Sequence, residues 1–166
     1  CVGIINDTVK ELQCKSILEV GCNVGNNLFY FRGLAVHGID ASEYAINLAR
    51  IKYPFVVFRV GQAQELPYED KSFDMVFTRG VIIHIEPQDR NKVMKELLRV
   101  SKKYIMNIEY FGEEGKPKYW RDGDKYTWYT NMPQIWKNHN VKIIQDYDIP
   151  LDVDPDNVRL TLVEKV

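Results

Sequence analysis

A glycine turn that follows a short apolar strand carries the clearest chemical signal in this chain. The predicted strand at 16–20 leads into a turn at 21–25, and a helical segment follows from Asn26. Such a turn presents backbone N–H groups to a nucleotide-like ligand. A second predicted strand ends at Asp40, whose carboxylate can accept hydrogen bonds from ribose hydroxyls. Together the two features predict a site for an adenosine-containing cofactor.

The spacing of the glycines distinguishes between two cofactor classes. Dinucleotide sites use the pattern G-x-G-x-x-G, because its glycines allow the backbone to approach a pyrophosphate. Here Asn23 stands between Gly21 and Gly25 where the middle glycine would be, and the third glycine is absent. Asparagine tolerates a positive φ better than other non-glycine residues, so the turn can still form. The pattern disfavours a nicotinamide-dependent oxidoreductase, which stays as an alternative.

Four segments in order resemble class I S-adenosylmethionine-dependent methyltransferases. The E-x-G-x-x-x-G sequence at 19–25 resembles motif I of that family, and Asp40 resembles the acid that follows it. Residues 60–68 (VGQAQELPY) and 72–76 (SFDMV) resemble its G-D-A-x-x-L-P-F and S-F-D-x-V segments. The resemblance implies S-adenosyl-L-methionine as cofactor. It also implies an α/β, Rossmann-like class I methyltransferase fold, with a mostly parallel seven-stranded sheet of order 3-2-1-4-5-7-6 and helices on both faces.

The resemblance also assigns roles in cofactor binding. It implies that Glu19 orders the turn or reaches the methionine portion, although Glu19 could also be a strand-end charge facing solvent. Asp40 would bind the ribose, or could instead cap the following helix. Gln62 stands where many relatives carry an acid that accepts from the adenine amino group, and an amide oxygen can accept that bond too. Ala63 could offer its N–H or be a plain loop residue. The expected cofactor residues are Glu19, Gly21, Cys22, Asn23, Gly25, Asp40, Ala41, Gln62, Ala63, Thr78 and Arg79.

His84 is the first candidate for a catalytic base. It follows the fourth predicted strand, at the edge where open parallel sheets place ligand chemistry, and relatives carry an H-[IV] pair there near the methyl acceptor. An imidazole is the usual base for a hydroxyl group. Its isoleucine neighbours would equally suit a histidine in the core. Tyr110 and Glu109 are the further catalytic candidates.

A narrower resemblance concerns the methyl acceptor. Residues 78–87, 96–105 and 108–110 look like methyltransferases associated with the biosynthesis of pseudaminic acid and related surface sugars, as does the stretch from Tyr119. Arg121 could bind a carboxylate through its planar fork, and Tyr110 or Tyr119 could stack on a sugar ring. The expected acceptor is therefore a small molecule such as an acidic sugar or nucleotide sugar. The alternative is that this loop only packs against the sheet.

Length, charge and cysteine content limit the remaining possibilities. The 166 residues fit a single domain, 1–166, and because the chain begins with Cys1, we expect that it could lack a natural N-terminal extension that helps to close such sites. The net charge of −1 provides no basic face for nucleic acid. No apolar run approaches the roughly 18 residues of a membrane span. Three cysteines without C-x-x-C spacing indicate neither disulfides nor a metal site, so we expect a cytoplasmic protein.

The elements that must position these residues alternate between strand and helix. Strands are expected at about 16–20, 35–40, 55–60, 73–78, 103–110, 141–149 and 157–165. Helices are expected at 2–14, from Asn26, from Ser42 as an N-cap, from Pro87 and near 133–138. Residues 111–130 are expected to form a polar, aromatic loop.

The sequence therefore predicts an S-adenosylmethionine-dependent methyltransferase of surface-glycan chemistry, with both O- and N-methylation open. A hydroxyl acceptor needs its proton removed, whereas an amine needs less help. The leading alternative is a methyltransferase-like domain that binds the cofactor without turnover.

Overall fold

The computed structural model describes residues 1–117 and 127–166 in full, and only the backbone of 118–120 and 125–126. The strands, in chain order, are β1 (Ser16–Val20), β2 (Ala35–Asp40), β3 (Val57–Val60), β4 (Phe73–Arg79), β5 (Ser101–Tyr110), β6 (Pro117–Trp120), β7 (Lys125–Trp128), β8 (Val141–Asp148) and β9 (Val158–Lys165). Across the described ranges, seven of them form one sheet, while β6 and β7 pair separately as an antiparallel two-stranded sheet.

The large sheet has the order β3-β2-β1-β4-β5-β9-β8. Strands β1 to β5 pair in parallel, and β9 lies antiparallel between β5 and β8. When only the strands of this sheet are numbered, the order is 3-2-1-4-5-7-6, so the predicted Rossmann-like topology is confirmed. The strand order reverses at β1, and ligands of open parallel sheets bind outside the carboxyl ends of the strands at such a switch point.

Helices cover both faces of the sheet. They are α1 (Val2–Glu11), α2 (Glu43–Lys52), α3 (Arg90–Val100) and α4 (Met132–Trp136), with two 3₁₀ helices at Leu28–Tyr30 and Ile82–His84. Buried residues of α1 and α2 share one core cluster, and those of α3 and α4 share the other. None of the helices in the described ranges is both long and apolar enough to cross a membrane.

Local sequence explains why these elements form. Successive side chains of a strand point to opposite faces, so Ile17 of β1 enters one core cluster and Leu18 enters the other. Helix α2 begins after Ser42, whose Oγ accepts from the Ala45 N–H at 3.2 Å, as its prediction as an N-cap required.

Four segments differ from the sequence prediction. Helix α1 ends at Glu11 rather than near 14, because Gln13 adopts a positive φ of 53°. Helix α3 begins at Arg90, later than Pro87, and the segment after Asn26 is only a 3₁₀ turn. The prediction of a loop at 111–130 is wrong in part, because β6 and β7 lie there; the aromatic and threonine residues of that segment favour strands.

Candidate active site

A cleft of about 620 Å³ opens at the carboxyl ends of β1, β2 and β4. This volume lies within the range of small-molecule sites. The cleft is lined by nine residues that the sequence analysis selected: Gly21, Cys22, Asn23, Asp40, Ala41, Gln62, Ala63, Arg79 and His84. Loops that are far apart in the sequence therefore meet at the predicted edge of the sheet.

The glycine turn after β1 is fixed by its backbone and by its surroundings. The N–H groups of Gly21 and Cys22 donate to the Ile39 carbonyl at 2.8 and 3.0 Å. Gly21 has a φ of 75° and Asn23 a φ of 48°, so asparagine does occupy the left-handed region as predicted. A Cβ on Gly21 would lie 2.3 Å from Cγ2 of Val81. Glycine is thus required both by the backbone and by the segment after β4 that packs on it.

Asp40 joins the end of β2 to the glycine turn. Its Oδ2 accepts from the Asn23 N–H at 2.8 Å, and its Oδ1 accepts from the Ser42 N–H at 2.9 Å. The cap of α2 is supplied by Ser42, so capping alone does not account for Asp40. Each carboxylate oxygen can accept more than one hydrogen bond, which leaves room for ligand hydroxyls on the cleft side.

Glu19 is buried at the end of β1, contrary to the alternative of a solvent-facing charge. Its Oε1 accepts from Nδ2 of Asn27 at 2.6 Å, whereas its buried Oε2 has no hydrogen-bond partner among the described residues. Burial raises the pKa of Glu19 to about 8. Glu19 does not itself line the cleft, but its neighbour Val20 and its partner Asn27 do. An unfilled, buried carboxylate oxygen suits a ligand that brings a donor or a positive charge.

His84 and Arg79 line the cleft at and after the end of β4. His84 is exposed at the end of its 3₁₀ helix while Ile82 and Ile83 are buried, so it is not a core histidine. Its surroundings lower the pKa of the imidazole by desolvation, so the ring is neutral at pH 7 and can take up a proton. Arg79 also lines the cleft, and its Nη2 pairs with Oδ2 of the buried Asp154 at 2.7 Å.

Four other selected residues lie away from the cleft wall. Thr78 and Glu109 are buried, and Oγ1 of Thr78 donates to Oε1 of Glu109 at 2.8 Å. Tyr110 is buried in the core on the opposite face of β5, because neighbouring strand residues alternate, and burial raises the pKa of its hydroxyl. Gly25 packs beneath the turn, where a Cβ would meet Cζ of Phe58 at 2.7 Å. None of these three side chains lines the cleft, so the expected cofactor role of Thr78 and the expected base or stacking roles of Glu109 and Tyr110 stay predictions.

The two other expected substrate residues cannot be placed in the same way. Arg121 lies outside the described residues, and Tyr119 is described only by its backbone in β6, where it pairs with Tyr126. The interpretation of both as acceptor-binding residues stays a prediction.

Half of the residues that line the cleft were not predicted from the sequence. The additional lining residues are Val20, Val24, Asn26, Asn27, Gly61, Gln64, Gly80, Val81 and Ile85. Most are direct neighbours of selected residues. Asn27 is the most important omission, because it holds Glu19; its signal was a second polar residue at the end of a turn that already contained two glycines.

Comparison with known proteins identifies the family. Residues 18–104, just over half of the chain, match the family described as "Methyltransferase domain". Norajmaline N-methyltransferase of Rauvolfia serpentina is 33% identical over 96 residues, which cover 52% of this chain and 32% of that protein. The matched parts amount to about a third of the length of the first curated relatives, at 32% and 33%.

Solved structures share the fold across nearly the whole chain. A S-adenosylmethionine-dependent methyltransferase from Methanosarcina mazei superposes with a TM-score of 0.83 at 19% identity, covering 96% of this chain and 97% of that one. Magnesium protoporphyrin IX methyltransferase from Synechocystis PCC 6803, with bound S-adenosylhomocysteine, superposes with a TM-score of 0.78 at 15% identity, covering 99% and 82%. At these identities the likeness concerns the fold. Taken with the family match, it shows that the chain belongs to the methyltransferase domain family and has the class I fold.

Proposed function

We propose that this domain binds S-adenosyl-L-methionine in the cleft and transfers its methyl group to a small-molecule acceptor. The observation that carries the proposal is the meeting of the glycine turn, Asp40 and Gln62 on one cleft at the switch point of the sheet. The family match and the fold of cofactor-dependent relatives support it.

The residues of the cleft fit the parts of this cofactor. Asp40 would accept from the ribose hydroxyls, and Gln62 with Ala63 would hold the adenine. Glu19 does not line the cleft, so it would act on the methionine portion by holding Asn27, which does line it. When bound, this cofactor supplies a methyl group on a sulfonium, so the protein has to hold an acceptor in line with it.

His84 is the residue we propose as general base. Its neutral imidazole stands on the cleft and can take the proton of a hydroxyl acceptor. For an amine acceptor the same residue would mainly position the substrate.

For the acceptor itself we propose an acidic sugar or nucleotide sugar of surface-glycan biosynthesis, handled in the cytoplasm. The support is the resemblance carried by residues 78–87 and 96–105 and the expected anion contact of Arg121. Norajmaline N-methyltransferase, named for a small-molecule substrate, supports the broader class of acceptor.

Titration calorimetry with S-adenosylhomocysteine tests the cofactor assignment. We expect Asp40→Ala to weaken binding by about 2–4 kcal/mol, because it removes charge-assisted contacts and releases the Asn23 N–H. Asp152→Ala is the matched control, since Asp152 is exposed and lies away from the cleft. Equal affinities of the two variants would reject the ribose assignment, and thermal stabilisation by NAD⁺ instead of S-adenosylhomocysteine would favour an oxidoreductase.

The alternative of binding without turnover requires a second measurement. Transfer of a labelled methyl group from S-adenosylmethionine to sugar, nucleotide-sugar and amine acceptors would establish turnover. Tight binding with no transfer to any of them would favour a cofactor-binding domain.

A further inference from the structure

Glu109 lies directly behind the segment that carries His84. Its Oε2 accepts from the N–H groups of Val81 at 2.9 Å and Ile82 at 3.1 Å, and its Oε1 accepts from Oγ1 of Thr78 at 2.8 Å. The first N–H groups of a short helix have no partner within the helix, and the residue before this one, Val81, has no side chain that could cap it. Glu109 supplies the missing acceptors from a different strand.

A chain of buried hydrogen bonds holds Glu109 in turn. Nε1 of Trp136 donates to Oδ1 of Asn107 at 2.9 Å, and Nδ2 of Asn107 donates to Oγ1 of Thr78 at 2.9 Å. Thr78 then donates to Glu109. Every donor in this chain points towards the carboxylate, so Glu109 accepts at each contact. The arrangement therefore favours the ionised carboxylate, because a protonated acid would turn an O–H towards a donor.

Burial of this acid has a cost that its contacts must offset. Glu109 is 1% exposed, and burial raises its pKa to about 7. An apolar side chain would fill the same volume without a desolvation penalty, but it would leave the N–H groups of Val81 and Ile82 unpaired. The benefit of the carboxylate thus lies in the conformation that it imposes on the segment from Val81 to His84.

We propose that Glu109 is a positioning residue that fixes His84 and Val81 on the cleft. Val81 packs against Gly21 of the cofactor turn, so the segment from Val81 to His84 touches the glycine turn at one end and carries the proposed base at the other. Glu109 does not reach the cleft and acts only through this segment. The inference rests on the proposed function for the role it gives to His84.

The three histidines of the chain provide a direct readout. In protein labelled with ¹³C-histidine, His37, His84 and His139 each give one Cε1–Hε1 signal, assigned by single substitution to glutamine. Glu109→Gln keeps the shape of the side chain but replaces one of its two acceptor oxygens by an NH₂ group, so it cannot accept from Val81, Ile82 and Thr78 together. We expect the His84 signal to move while that of His37 stays in place, and the Val81 and Ile82 amides to exchange with solvent faster by about tenfold or more.

A pair of threonine variants separates positioning from general loosening. Thr78 and Thr161 are both fully buried in strands, and each donates to a carboxylate, Glu109 at 2.8 Å and Asp146 at 2.9 Å. Thr161 even lies opposite Asn107 on the neighbouring strand, so Thr161→Val is a strict control. We expect Thr78→Val to move the His84 signal and Thr161→Val to leave it unchanged. If Glu109→Gln does not fold, this pair decides the question.

Two outcomes would overturn the assignment. One is a folded Glu109→Gln protein with the wild-type His84 signal and wild-type exchange of the Val81 amide. The other is a His84 shift in Thr161→Val as large as that in Thr78→Val. Failure of wild-type protein to bind S-adenosylhomocysteine would reject the proposed function and leave these spectra valid, whereas normal binding with an unmoved His84 signal would reject only the role of Glu109.

Discussion

Gly21→Ala tests the packing of the glycine turn against the segment after β4. Gly21 has a φ of 75°, a conformation that costs an alanine about 1–2 kcal/mol. The new Cβ would also lie 2.3 Å from Cγ2 of Val81, and overpacking of this kind costs about 1–3 kcal/mol. We therefore expect the free energy of unfolding to fall by about 2–5 kcal/mol in total.

Gly33→Ala isolates the backbone part of this effect. Gly33 has a φ of 81°, but a Cβ there would meet nothing within 4 Å, so only the conformational cost of about 1–2 kcal/mol applies. Urea denaturation at one pH gives both free energies of unfolding. Titration with S-adenosylhomocysteine should show weaker binding for Gly21→Ala and wild-type binding for Gly33→Ala, because only Gly21 lines the cleft.

A double-mutant cycle with Val81→Ala identifies the contact itself. Removing the Cγ atoms of Val81 should relieve part of the clash, so Gly21→Ala should cost less in the Val81→Ala background. The packing argument is refuted if Gly21→Ala and Gly33→Ala cost the same within about 0.5 kcal/mol, or if the Val81→Ala background makes no difference.

Three further variants test individual side chains in or next to the cleft. Burial raises the pKa of Glu19 to about 8, so wild-type protein is most stable below the unfolded pKa of this acid and loses stability as the pH rises towards 8. Glutamine does not titrate, so the free energy of unfolding of Glu19→Gln should rise relative to wild type with pH, by about 3 kcal/mol at pH 7. Denaturation measured from pH 5 to pH 8 checks this difference. A flat difference over that range would contradict the burial of an ionisable Glu19. His84→Gln should lower turnover with unchanged cofactor affinity and little change in melting temperature, because the side chain is exposed; a parallel loss of stability would show a packing role. Gln62→Glu should tighten S-adenosylhomocysteine by about 1 kcal/mol in calorimetry, since a carboxylate accepts more strongly than an amide, and unchanged or weaker binding would place the adenine elsewhere.

The side of the cleft formed by the glycine turn was predictable because backbone geometry limits which residues can stand there. Gly21 and Asn23 occupy left-handed conformations, and Asp40 ends a strand whose register puts it beside them. Such requirements are local and leave a pattern within a few residues. The same holds for Ser42, whose hydroxyl caps the helix that begins next to it.

The side of the cleft formed by the residues after β4 was less predictable because it depends on contacts that are distant in sequence. Glu109 looked like a further base at a strand end, but its environment is created when the residues after β4 fold back over β5. Its buried partner Thr78 belongs to a network that runs through Asn107 and ends at Trp136. No spacing in the sequence connects these residues. Arg79 likewise lines the cleft as predicted, while its pairing with Asp154 involves a loop 75 positions away.

The two buried glutamates at strand ends show how such acids can be told apart. Glu19 and Glu109 are each 1% exposed, and burial raises the pKa of both. Both oxygens of Glu109 accept from donors of the chain itself, and these contacts hold the backbone that leads to His84. Glu19 has one oxygen held by Asn27 and one without a partner among the described residues, beside the cleft. An unfilled oxygen needs a donor from outside the chain, and a filled one does not. This difference is the physical reason why we propose a ligand-related role for Glu19 and a positioning role for Glu109.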